Sequence, residues 1–140
     1  MATIPHERAT VRGEPSGVAL SPRSMLAAVV AGSLAAAGLA GSVLPARSFD
    51  PELISLVYLM VGLKAALALA ATGLLWWRVQ WPIAPRNLAG SLGVIAVFVA
   101  APLLIVQGTA PLLTSVAFHA ALLAGGLLAL SDAGALRRAD

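Results

Sequence analysis

The sequence predicts an all-α integral membrane protein with four transmembrane helices in a bundle and both termini on the cytoplasmic side. Hydrophobic residues make up 59% of the 140-residue chain and charged residues only 11%. This composition leaves too little polar surface for a soluble domain of this size, and mean hydropathy is +0.91. Long uncharged stretches and the uneven distribution of arginine complete the prediction.

Four apolar segments define the predicted spans, because about 20 apolar residues in a helix cross a bilayer. The first two segments together contain one charged residue, Lys64, and the stretch 87–131 contains none. That stretch is long enough for two crossings, and the sequence QGTAP at 107–111 interrupts it near its middle as a helix–helix turn does. We predict a polar tail at 1–23, a transmembrane domain at 24–131 with helices at 24–45, 53–77, 86–106 and 111–131, and a second tail at 132–140.

Prolines mark the start of each predicted helix, where the missing N–H costs nothing. These prolines are Pro22, Pro51, Pro85 and Pro111. Asp50, just before the second helix, is a predicted capping carboxylate. Pro102 lies inside the third span and removes one backbone hydrogen bond, so we expect it to face a neighbouring helix rather than lipid.

The arginines predict the orientation. With four crossings, the two tails and the second loop share one side of the membrane, and seven of the eight arginines fall there: Arg8, Arg12, Arg23, Arg78, Arg86, Arg137 and Arg138. Arg47 is on the other side. Because the arginine-rich side is cytoplasmic, we expect an inner (plasma) membrane protein with both termini in the cytoplasm. Trp76, Trp77 and Trp81 then fall where an aromatic belt lies.

Lys64 is the only charged residue inside a predicted span, and it is close to the centre of the second one. A lysine at that depth costs about 2.5–3.5 kcal/mol on insertion scales. An internal ion pair at depth is excluded, because no Asp or Glu lies inside a predicted span. Four interpretations stay open: a carboxylate of a partner subunit, a bound anionic ligand, lipid headgroup or quinone oxygen, deprotonation forced by burial, and snorkelling towards the surface.

A few other polar residues accompany Lys64 in the outer half of the predicted bundle. His119 lies about 12 Å from the start of its helix and Lys64 about 16 Å from the start of its own, so their depths are similar. Ser115 is one turn from His119, and Gln107 and Tyr58 lie nearer the outer surface. The candidate partner- or ligand-binding residues are therefore Lys64, His119, Gln107 and Tyr58.

Small residues at four-residue spacing predict helix-packing faces, since they let backbones approach closely in lipid. The first helix has two such faces, one through Gly32 and Ala36 and one through Ala37 and Gly41. With one face in the bundle, the other is free to pack against a second protein. The predicted packing residues are Gly32, Ala36, Ala40, Gly62, Ala66, Ala117, Ala121 and Gly125.

Catalytic and metal-binding patterns are absent from the sequence. There is no cysteine, and no paired carboxylates, Ser-His-Asp set, glycine-rich phosphate loop or metal-ligand spacing. The basic residues are spread over tails and turns, which does not favour nucleic acid as a partner. Because the second histidine, His6, is in the N-terminal tail, a haem or quinone would have to be shared with a partner.

We therefore expect a non-catalytic accessory or anchor subunit of a larger inner-membrane complex, of a respiratory or electron-transfer type. Its partners would be other membrane protein subunits and lipids, it would hold no cofactor of its own, and Lys64 would pair with a partner subunit or bound ligand. One alternative is a small oligomeric transporter or channel with Lys64 lining an anion pathway. Another is a quinone- or haem-contacting membrane subunit with Lys64 and His119 at its site.

Overall fold

Four long helices form the part of the chain that the structure describes. The computed structural model describes residues 20–44 and 49–136, with side chains as far as Asp132. The helices are α1 (Pro22–Val43), α2 (Ile54–Arg78), α3 (Pro85–Val106) and α4 (Pro111–Leu136). All four are long and apolar enough to span a membrane, and the described residues contain no strand. The prediction of an all-helical fold with four helices long and apolar enough to cross a membrane is confirmed.

Some sequence-based expectations lie outside the described residues. They concern His6, Arg8, Arg12, Arg47, Arg137 and Arg138.

The helix starts follow the prolines at three of four positions, namely Pro22, Pro85 and Pro111. The fourth differs, because α2 begins at Ile54 rather than at the proline. Asp50 caps a turn before α2 instead of the helix itself: its Oδ1 accepts from the backbone N–H of Glu52 at 3.2 Å. α4 continues beyond the predicted end at residue 131, which places Asp132 inside the helix.

The turn between α3 and α4 is tight because Gly108 adopts a left-handed conformation with φ 69°. The N–H of Gly108 donates to the carbonyl of Ile105 (2.9 Å), and the N–H of Thr109 donates to that of Leu104 (3.0 Å). These two bonds form a Schellman motif, which satisfies carbonyls that the end of α3 would otherwise leave free. Ala110 also has a positive φ, 43°, and leads directly into α4.

α3 is the central helix, and each of the other three packs against it. The helices alternate in direction. Arg23 at the start of α1 lies over the ring of Trp76 near the end of α2 (5.6 Å to the centroid), and Asn87 at the start of α3 reaches Asp132 in α4. We call this the arginine end of the bundle, and we call the opposite end, where α3 turns into α4, the turn end.

Two apolar clusters hold the helices together. The first joins α2, α3 and α4, and consists of Ala68, Phe98, Ala101, Phe118 and Ala121. At its centre the rings of Phe98 and Phe118 stack with centroids 4.8 Å apart. The second joins α1, α2 and α3, and consists of Leu26, Leu75, Val79 and Ile95. Pro102 is buried in α3, so the prediction that it faces the protein interior is confirmed.

Only some of the predicted packing residues pack inside the described bundle. Ala121 is buried, Ala40 and Gly125 are half-buried, and the exposed ones are Gly32, Ala36, Gly62, Ala66 and Ala117. In α1 the face that packs is the second small-residue face, where Ala37 is 2% exposed. Exposed Gly32 and Ala36 therefore make no helix contact within the described chain.

Candidate functional site

Lys64 is buried at the junction of α2, α3 and α4, with 8% of its surface exposed. Its Nζ donates to Oγ of Ser115 on α4 at 2.7 Å and lies 5.5 Å from the ring centroid of Phe118. Side chains in a helix lean towards its N-terminus, so the lysine extends towards the turn end, where α4 begins. The side chain of Lys64 thus extends part of the way towards the turn end of the bundle. There its ammonium group contacts the neutral hydroxyl of Ser115 and the ring face of Phe118.

A small cavity of about 130 Å³ adjoins Lys64 on the side of the turn end. Apart from Lys64 and Ser115 its walls are apolar, and they include Phe49, Met60 and Pro111. An ammonium group has three N–H donors, and one of those of Lys64 is used by Ser115. The cavity therefore offers space for a small acceptor group beside a buried cation.

The other three predicted site residues do not join Lys64. His119 is exposed on α4, where its Nδ1 lies 2.7 Å from the carbonyl oxygen of Ser115, so it shares a neighbour with Lys64 without lining the cavity. Tyr58 is 58% exposed on α2. Gln107 ends α3 and packs against Gly41 of α1. Its Oε1 is buried without a hydrogen-bond partner among the described residues.

A second polar cluster, formed by Arg78, Asn87 and Asp132, lies at the arginine end. Arg78 of α2 pairs with Asp132 of α4: its Nε and Nη2 each lie 2.7 Å from Oδ2. Asn87 of α3 donates to the other carboxylate oxygen at 3.5 Å, and Nη1 of Arg78 donates to the carbonyl of Pro82 at 3.2 Å. About four-fifths of each charged side chain is covered, since 18% and 19% remain exposed. The group links α2, α3, α4 and the α2–α3 loop.

Next to this ion pair, a groove of about 550 Å³ runs between α2 and α4 over the surface of α3. Its walls are mostly apolar and include Phe98, Leu122 and Gly126, while Arg78 and Asp132 lie at one end. Between residues 122 and 132 of α4 a helix rises about 15 Å. The groove is thus an elongated apolar channel with charged groups at the arginine end.

Sequence reasoning missed two of these features. The sequence places Ser115 in the polar cluster with Lys64 and His119 but does not identify it as the hydrogen-bond partner of Lys64, although its position one turn into α4 places it at the end towards which Lys64 extends. The sequence-based boundaries place Asp132 in the C-terminal tail at 132–140, whereas the structure places it in α4. The predicted topology does place Arg78 and Asp132 at the same end of neighbouring helices, and that signal was sufficient to suggest the pair.

Within the described ranges, no three His, Cys, Asp or Glu residues come together in a way that could hold a metal ion. No known protein family, curated protein or solved structure matches this chain.

Proposed function

We propose that this chain is a non-catalytic accessory or anchor subunit of a larger inner-membrane complex, in which Lys64 pairs with an anionic group of a partner subunit or bound ligand. The observation that carries the proposal is the cavity beside Lys64. A buried ammonium group with donors to spare and an adjoining space of about 130 Å³ fits a carboxylate better than lipid, because a buried cation is stabilised by an opposite charge.

The exposed small-residue face of α1 supports the same proposal. An added Cβ at Gly32 would meet no atom within 4 Å, and Ala36 beside it is also exposed. A helix of another subunit can approach such a face closely, and close approach is what drives helix association in lipid. Among the described residues, α1 packs on the bundle through its other face, so this face is open to a partner.

The orientation belongs to the proposal as well. Arg23, Arg78 and Arg86 lie at the arginine end, and the seven-to-one distribution of arginines along the chain favours a cytoplasmic location for that end. Because the chain has no cysteine, single cysteines can report the topology. Glu52→Cys should react with an impermeant maleimide in intact cells, and Gln80→Cys only after permeabilisation. The reverse pattern would contradict the proposed orientation.

The assembly is tested by purifying the tagged protein in mild detergent and identifying co-purifying chains by mass spectrometry. Gly32→Leu adds bulk to the free face of α1 and should release the partner. Gly73→Leu is the matched control, because Gly73 is also an exposed helical glycine with nothing within 4 Å. Recovery of the wild-type chain alone would refute the accessory-subunit proposal.

Lys64→Met tests the role of Lys64 in binding the partner, since methionine keeps most of the bulk and removes the charge. The variant should fold and insert but retain less of the partner. If the complex assembles unchanged with Lys64→Met, no anionic group of the partner binds in the cavity. Gly32→Leu tests the α1 face independently of that result.

A further inference from the structure

We propose that the groove between α2 and α4 is a binding site for one anionic phospholipid, with an acyl chain along the groove and the headgroup at the arginine end. This site is separate from the cavity at Lys64, and the inference does not depend on the chain being a complex subunit.

The dimensions of the groove match one leaflet. It extends about 15 Å along α4 from Asp132 to Leu122, which is half of the roughly 30 Å hydrocarbon core of a bilayer. Its polar end coincides with the end of the spans, where headgroups lie, and its apolar end reaches the stacked ring of Phe98. An acyl chain in the groove would therefore lie at the same depth as the acyl chains of the surrounding leaflet, with its headgroup at the membrane surface.

The walls of the groove suit a hydrocarbon chain rather than a side chain of the bundle. α2 and α4 both pack on α3, and the space between them is about 550 Å³. Gly126 lines this space, and a Cβ added there would meet no atom within 4 Å. The side chains that line an empty apolar groove of this size lose van der Waals contacts. An acyl chain from the surrounding lipid restores those contacts and so stabilises the bundle.

The charge at the arginine end favours an anionic headgroup. Among the described residues, Arg23, Arg78 and Arg86 lie there with one acid, Asp132. Asp132 already pairs with Arg78, which leaves the positive charges of Arg23 and Arg86 at the same end of the bundle as the polar end of the groove. Each arginine near a membrane surface attracts an anionic lipid by about fivefold in binding constant. Trp77 lines the groove at the same end, where an indole ring prefers to lie.

The test uses the purified single chain in phosphatidylcholine nanodiscs with Trp77 as the only tryptophan, after Trp76→Phe and Trp81→Phe. Brominated phosphatidylglycerol or brominated phosphatidylcholine is added at equal mole fraction, and quenching of Trp77 fluorescence is measured. We expect about 5- to 25-fold tighter apparent binding of the anionic lipid, according to whether one or both of Arg23 and Arg86 contribute, and saturation at one lipid per chain. Equal quenching by the two lipids would overturn the proposal.

Three variants connect the quenching signal to the groove. Gly126→Leu should fill it and abolish the saturable quenching, whereas Gly93→Leu, an exposed helical glycine outside the groove with nothing within 4 Å, should preserve it. Arg86→Gln should reduce the preference for phosphatidylglycerol without changing quenching by phosphatidylcholine. Saturable binding that survives Gly126→Leu would place the lipid elsewhere, and displacement by a stoichiometric quinone would assign the groove to a quinone instead; either result overturns the proposal.

Discussion

The ammonium nitrogen of Lys64 lies 2.7 Å from the hydroxyl oxygen of Ser115, which is 51 positions further along the chain. This bond connects α2 to α4, as the Arg78–Asp132 ion pair does at the arginine end, while both helices pack on α3. It places the ammonium group of Lys64, which lies far from both ends of α2, beside a neutral acceptor. The remaining N–H donors of that group lie next to the small cavity.

Ser115→Ala should destabilise the isolated protein by about 1–3 kcal/mol, because it leaves a buried ammonium group without its acceptor. Lys64→Met should cost little, and in the double variant the cost of Ser115→Ala should disappear, since removal of both partners leaves no unsatisfied charge. Equilibrium unfolding in mixed micelles measures all three. Ser131→Ala, at an exposed hydroxyl bonded within its own helix, is the control.

Arg78 and Asp132 should show a coupling free energy of about 1–2 kcal/mol, because their bonds are charge-assisted but one-fifth of each side chain remains exposed. A double-mutant cycle with Arg78→Gln and Asp132→Asn measures this coupling. The same cycle with Arg86→Gln in place of Arg78→Gln should give a value near zero, since Arg86 is exposed. Equal coupling in both cycles would argue against a specific pair.

Gly41→Ala should be less favourable by about 1 kcal/mol than an ordinary glycine-to-alanine change in a helix, because a Cβ there would overlap the side-chain amide of Gln107, which must move aside. Gly38→Ala, one turn earlier in α1 with nothing within 4 Å of its Cβ position, should instead be neutral or stabilising by up to about 1 kcal/mol. Thermal unfolding in detergent measures both. Gln107→Ala should rescue Gly41→Ala, and a failure to do so would contradict the contact.

Ala110→Gly should stabilise the protein by about 0.5–1 kcal/mol, because residue 110 has a φ of 43° that alanine adopts only with strain. Ala120→Gly in the exposed interior of α4 should do the opposite, as glycine is unfavourable in a helix. Opposite signs in the two unfolding measurements are the expected result. Equal destabilisation would show that the conformation of the turn is not strained.

The sequence by itself determined how the chain is divided along the membrane normal. Charges end the spans, prolines begin three of the helices, Gly108 ends α3, and Pro102 must face protein because lipid offers no hydrogen-bond donor. Each of these signals acts through a local property of the residue, so it can be recognised without knowing the neighbours. The exception, the start of α2, differs because Asp50 and Glu52 form a turn of their own.

Only the tertiary structure decided which side of each helix faces inwards. In a soluble bundle the polar face reveals the surface, but in lipid both faces are apolar, so Gly32 and Gly41 cannot be distinguished by composition. For the same reason the sequence could not identify Ser115 as the hydrogen-bond partner of Lys64. Depth favoured His119 as its nearest neighbour, whereas the rotation of α4 turns His119 outwards and brings Ser115 to the lysine. The sequence encodes depth in single residues, and rotation about the helix axis is set by packing among them all.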